Sequence, residues 1–101
     1  MNKPKLYWKH VDIHHSWQLI VPIITDRGNG TYEIWLTRRP HYCDRGDWII
    51  YVDAHNGDLD GADGFPRYFF GSEDEVKCQM ETWLSRRAAY RKYLMESSKH
   101  L

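Results

Sequence analysis

The sequence is short of the material from which several common activities are built. Cysteine occurs only at Cys43 and Cys78, with no Cys-x-x-Cys pair, so free thiols are expected and a disulfide framework is not. Neither sign of charge predominates: 14 Lys+Arg stand against 14 Asp+Glu, a formal net charge of zero, which excludes a globally basic or acid-coated chain and leaves only local patches. The longest apolar run, Leu19 to Ile24, is far short of the roughly 20 residues that cross a bilayer. The opening "MNKPKLYWKH" lacks the apolar centre of a signal peptide, so the expected location is the cytoplasm, with no membrane partner. Serines are few, and there is no nucleophile elbow, phosphate-binding glycine loop or His-Glu-x-x-His helix. The chain is therefore expected not to be an enzyme and to carry no cofactor.

Aromatic residues, by contrast, are abundant. They make up 15% of the 101 residues, with five Trp and seven Tyr, enough to fill the core of one domain and leave some for a binding face. Residues 1–101 are read as a single domain. In "LYWKHVDIHHSWQLIVPII", alternation places Trp8, His10, Asp12 and His14 on one strand face and Tyr7, Val11 and Ile13 on the other. A turn near His15 leads to a second strand, in which Pro22 suggests an edge or a bulge because it cannot donate to a ladder. "DRGNG" is a turn, and "TYEIWLTR" alternates Tyr32, Ile34 and Leu36 with Thr31, Glu33, Trp35 and Thr37, as a strand buried on one side would. After the loop "RPHYCDRGD" come a strand "WIIYVDA" and a short strand "RYFF".

From Ser72 the period becomes helical. "SEDE" is a capping box, and Glu73, Asp74 and Glu75 suit a helix start. Val76, Met80, Trp83, Leu84, Ala88 and Leu94 follow on one face, with Trp83 against the sheet. The expected fold is α+β: an antiparallel meander of four to five strands with one long C-terminal helix across one face. A helix from Glu73 to Glu96 would be about 36 Å long, against about 17–20 Å for a strand of five or six residues. Its last turns would then project past the sheet, presenting Arg86, Arg87, Tyr90, Arg91, Lys92 and Tyr93 as a basic and aromatic partner-binding surface.

Three further stretches invite chemical readings. In "HNGDLDGADGFPRYFF", Asn56, Asp58, Asp60 and Gly61 match the first positions of a calcium loop, but Arg67 stands where the bidentate Glu belongs. A glycine-rich turn explains the same residues. His10, Asp12 and His14 share a strand face and could form a facial metal triad, with His41 and Cys43 as further donors, yet they also suit the solvent side of an amphipathic strand. No metal is expected. "RGD" at Arg45–Asp47 is read as coincidence beside the start of a strand. Arg38, Arg39, Arg67, Arg86, Arg87, Arg91 and Lys92, with Tyr7, Trp8, Trp35 and Tyr90 as stacking surfaces, keep a nucleic acid open as a partner.

The run "GFPRYFFGSEDEVKCQMETWLSRR", through Phe70, Ser72, Asp74, Glu75, Lys77, Glu81, Trp83 and Leu84, resembles the C-terminal part of small accessory proteins of tailed bacteriophages and prophages. The resemblance spans about a quarter of the chain and its residues are structural. It implies a protein that works in the cytoplasm of a bacterial host cell and inhibits or redirects a host protein of defence or nucleic-acid processing. The leading expectation is thus a protein-binding module, with a nucleic-acid-binding protein using the arginine-bearing helix as the alternative.

Overall fold

The computed structural model describes residues 6–11, 16–38, 46–55 and 65–98. Five strands, β1 (Lys9–Val11), β2 (Ser16–Thr25), β3 (Gly28–Arg38), β4 (Trp48–His55) and β5 (Tyr68–Phe69), are followed by helices α1 (Glu73–Ser85) and α2 (Ala88–Ser98). The strands form one sheet in the order β1-β2-β3-β4-β5, every pair antiparallel. The α+β class is therefore present.

Alternation sorts the strand residues into two faces. The inner face carries Leu19, Val21 and Ile23 from β2, Tyr32, Ile34 and Leu36 from β3, and Trp48 and Ile50 from β4, all buried. Val76, Met80, Trp83 and Leu84 of α1 and Ala89 and Tyr90 of α2 close over them as one hydrophobic cluster. The expected strand "TYEIWLTR" keeps its predicted faces. Pro22 is tolerated inside the sheet because β1 pairs only with Ser16, Trp17 and Gln18. Farther along, among the described residues, β2 bonds only to β3 and is in effect an edge strand.

The β2–β3 hairpin turns tightly at Asp26 and Arg27, with Thr25 opposite Gly28. Thr25 Oγ1 accepts from the Arg27 amide at 3.1 Å, and Gly28 takes a φ of 106° that a side chain would resist. At the other edge, Gly46 lets two backbones approach closely. A Cβ there would lie 2.9 Å from Phe69 N and O, in the segment where the Asp47 amide donates to Phe69 O at 2.8 Å.

The expected capping box is present: Ser72 Oγ accepts from the Glu75 amide, and Glu75 Oε1 accepts from the Ser72 amide. The Ser72 amide bond to the carboxylate first, with the Ser72 hydroxyl beside it, holds the Glu75 carboxyl below its ordinary 4.5. The single long helix is corrected to two. At Arg86 and Arg87 the bonds shorten to three-residue spacing, to Trp83 O and Leu84 O, and the ladder resumes with Arg91 donating to Arg87 O. The cause is a change of phase in the sequence. At 3.6 residues per turn, continuing α1 would swing Arg87 and Arg91 onto the stripe of Val76, Met80, Trp83 and Leu84. The apolar residues that follow, Ala89, Tyr90, Tyr93 and Leu94, lie on a stripe roughly 100° away, and the break rotates that stripe onto the sheet. Ala88, expected on the buried face, is exposed.

Candidate functional site on the helix-free face of the sheet

The break changes where the six residues expected to bind a partner sit. α2 packs chiefly on β2, which with 10 residues is about twice the strand length assumed from sequence. The last turns are thereby held against the sheet instead of projecting past it. Tyr90 is buried at 6% exposure, and burial, with Tyr93 and Glu81 nearby, pushes its phenol above the ordinary 10.0. Arg87 is half-buried, with its guanidinium carbon 5.2 Å from the centre of the Trp83 ring. Tyr93 is also half-buried, beside Pro22 and Ile23 in a shallow groove. Only Arg86, Arg91 and Lys92 of the six are exposed.

The His10 face is corrected too. His10 pairs with Trp17, on the side of the sheet that meets the helices. Its ring lies 4.7 Å from that of Trp17, whose Nε1 donates to Glu73 Oε1 on α1 at 3.0 Å. Trp8, on the same face, donates to Glu81 Oε1 at 3.3 Å. Asp12 and His14, the calcium-like loop at 56–64, and His41 with Cys43 lie outside the described residues. Cys78 is an exposed free thiol.

Among the described residues, no helix lies on the opposite face of the sheet. It presents Ser16, Gln18, Ile20 and Pro22 from β2, Thr31, Glu33, Trp35 and Thr37 from β3, Ile49, Tyr51, Asp53 and His55 from β4, and Tyr68 from β5. Ile20 is 56% exposed, Tyr51 54% and Tyr68 38%, an unusual concentration of apolar and aromatic side chains for the solvent side of a small sheet. Glu33 organises the middle of this face. Its Oε1 accepts from Gln18 Nε2 at 2.7 Å and from Trp35 Nε1 at 2.8 Å, and its Oε2 lies 3.2 Å from His55 Nε2. The bond from Gln18 first, helped by those from Trp35 and His55, holds the Glu33 carboxyl below its ordinary 4.5 against the opposing pull of burial. The indole N–H edge of Trp35 is thereby turned along its own strand toward Glu33.

Trp35 and Tyr51 are direct cross-strand partners, close enough for their side chains to form one surface. Beside them an open groove of about 420 Å³ is lined by Ser16, Trp35, Thr37, Tyr51 and Asp53. Ser16 and Thr37 join their hydroxyls at 3.0 Å across the strands. Asp53 is exposed and makes no hydrogen bond or ion pair among the described residues. Sequence reasoning had named Trp35 as a possible stacking surface and passed over Tyr51 and Asp53. The usable signal was the alternation in "WIIYVDAH": Ile50, Val52 and Ala54 face the core, so Tyr51, Asp53 and His55 share the other side.

No protein-family model, curated protein or solved structure matches this chain. Among the described residues, no helix is long and apolar enough to cross a membrane.

Proposed function

We propose that this protein is a non-enzymatic protein-binding module and that the helix-free sheet face is its docking surface. One observation carries the reading: the exposed Ile20, Tyr51 and Tyr68 and the half-buried Trp35 lie on one face that no element among the described residues covers, and Tyr, Trp and aliphatic anchors are what protein interfaces use. The same arrangement argues against the nucleic-acid alternative. Binding single strands combines stacking aromatics with cations on one surface. Here the aromatics stand on the face that also carries the Glu33 and Asp53 carboxylates, while Arg86, Arg91 and Lys92 belong to the helical layer on the other side of the sheet. Among the described residues of that face Glu33 and Asp53 stand against Lys9 beside Gln18, so a phosphate backbone laid along the aromatics would meet more negative charge than positive.

The likeness of residues 64–87 to phage and prophage accessory proteins supports a bacterial host protein as the partner, met in the host cytoplasm and inhibited or redirected by docking. Capture from a bacterial lysate tests this with three baits: the natural chain, Ile20→Asp, and Arg86→Ala/Arg91→Ala. A protein retained by the first and third baits and lost with Ile20→Asp supports the reading. Retention by Ile20→Asp with loss on the arginine double variant returns the interface to the helix. Salt-sensitive binding of DNA or RNA that falls with the arginine substitutions favours the alternative.

A further inference from the structure

Resting on that reading, the groove between β3 and β4 says what the partner must present. We propose that it is a receptor for an arginine side chain of the partner protein, with Trp35 and Tyr51 supplying π faces and Asp53 the counter-charge.

Four features of the groove lead there. Trp35 and Tyr51 are paired across the strands and both line the groove, so its wall offers two electron-rich rings, and such faces attract a guanidinium. Trp35 is held by its bond to Glu33 at 2.8 Å, so part of the ordering cost of a binding aromatic is already met in the free protein. Asp53 is two residues beyond Tyr51 on the same strand, hence on the same face, and lines the same groove. Its carboxylate has no partner among the described residues, although the chain has as many cationic as anionic side chains to offer it.

Glu33 and Asp53 differ in this respect. Glu33 is engaged by Gln18, Trp35 and His55 and serves the scaffold, whereas Asp53 is left to an incoming charge. Arginine fits better than lysine because its planar guanidinium can lie on a ring and fork onto a carboxylate at once, which a compact ammonium cannot. The volume, about 420 Å³, is ample for one such side chain and lies at the small end of ligand-sized clefts. Ile20, exposed on β2, would then meet an apolar residue flanking that arginine.

The test uses the full chain, ¹⁵N-labelled, with the Trp35 indole resonance assigned through Trp35→Phe and the Tyr51 ring followed alongside. Three probes are titrated: N-acetyl-arginine amide, N-acetyl-lysine amide, and N-acetyl-citrulline amide, which keeps the planar shape without the charge. Saturable movement of Trp35 and Tyr51 is expected with the arginine probe, at least about tenfold weaker with citrulline, as loss of a charge-assisted pair implies. Asp53→Asn should weaken the arginine probe by a similar factor and Tyr51→Ala by a few-fold. Both residues are exposed, so neither change should disturb folding.

The proposal is overturned if the arginine probe moves neither resonance saturably, if citrulline or lysine binds as well, or if Asp53→Asn changes nothing. Such a failure, alongside partner capture that still depends on Ile20, would remove the arginine site and leave the protein-binding reading standing. Arginine binding without any Ile20-dependent partner would do the reverse.

Discussion

The Lys77 ammonium stands 3.3 Å from the centre of the Trp17 ring, and the same nitrogen reaches Glu73 Oε2 at 3.0 Å. Since Trp17 donates to the other oxygen of Glu73, one lysine, one glutamate and one indole clamp the first turns of α1 onto β2. The Lys77 side chain is 17% exposed, so the cation–π contact is partly shielded from water. Lys77→Ala should lower stability by about 1–2 kcal/mol, since partly desolvated cation–π contacts are worth that much and an i,i+4 pair adds a few tenths. Urea unfolding followed by far-ultraviolet dichroism measures it. A change within error would mean that the clamp contributes nothing to stability.

Trp83 is buried at 6% exposure, and its Nε1 is buried without an acceptor among the described residues. Its ring lies 5.7 Å from that of Tyr32 and 6.0 Å from that of Phe65. Trp83→Ala should cost about 3–5 kcal/mol as a large cavity opens. Trp83→Phe should cost far less, about 1 kcal/mol or under, because it keeps most of the ring and removes a donor that has lost water for nothing. Equal losses for the two variants would show that the indole N–H has a partner after all.

Glu33 should make the outer face sensitive to acid. Its folded-state carboxyl lies below the ordinary 4.5, so the charged form is favoured in the native state. The resulting stability is fully present above the unfolded value and is lost as pH falls through the folded one. The stability difference between the natural chain and Glu33→Gln should therefore shrink as pH is lowered from about 5 through the ordinary carboxylate range. The Trp35 indole proton should shift over the same interval. An indole resonance unmoved across it would show that the Glu33–Trp35 bond does not form in solution.

Gly46→Ala should loosen the β5 edge. The added methyl would meet Phe69 N and O at 2.9 Å, at a φ of 153°. The loss should be about 1–3 kcal/mol from backbone strain and overpacking, with faster amide exchange at Asp47 and Ile50, whose amides bond to Phe69 O and Arg67 O. Unchanged exchange at both would mean that the edge relaxes at no cost.

Much of the architecture was readable from local pattern. Strict alternation in "TYEIWLTR" placed Tyr32, Ile34 and Leu36 on the core side because strand side chains point to opposite faces in turn. Ser72 and Glu75 marked the helix start through a hydrogen-bond exchange completed within four residues. Trp83 on the buried stripe followed from helical spacing alone.

The helix break and the make-up of the proposed docking face depended on how distant parts fit together. No glycine or proline interrupts "WLSRRAAYRKY", and its residues are mostly good helix formers. The chain breaks there because Ala89, Tyr90, Tyr93 and Leu94 gain more from burial against the sheet than one unbroken ladder would give. Likewise, alternation alone put Trp35 on the polar side of its own strand, and the unused alternation in "WIIYVDAH" does the same for Tyr51 and Asp53, but only the pairing of β3 with β4 set Trp35 opposite Tyr51. Local hydrogen bonding and side-chain periodicity are written within a few neighbouring residues. Which face the helices cover is a competition between burial options far apart in the chain, and the tertiary structure decided it.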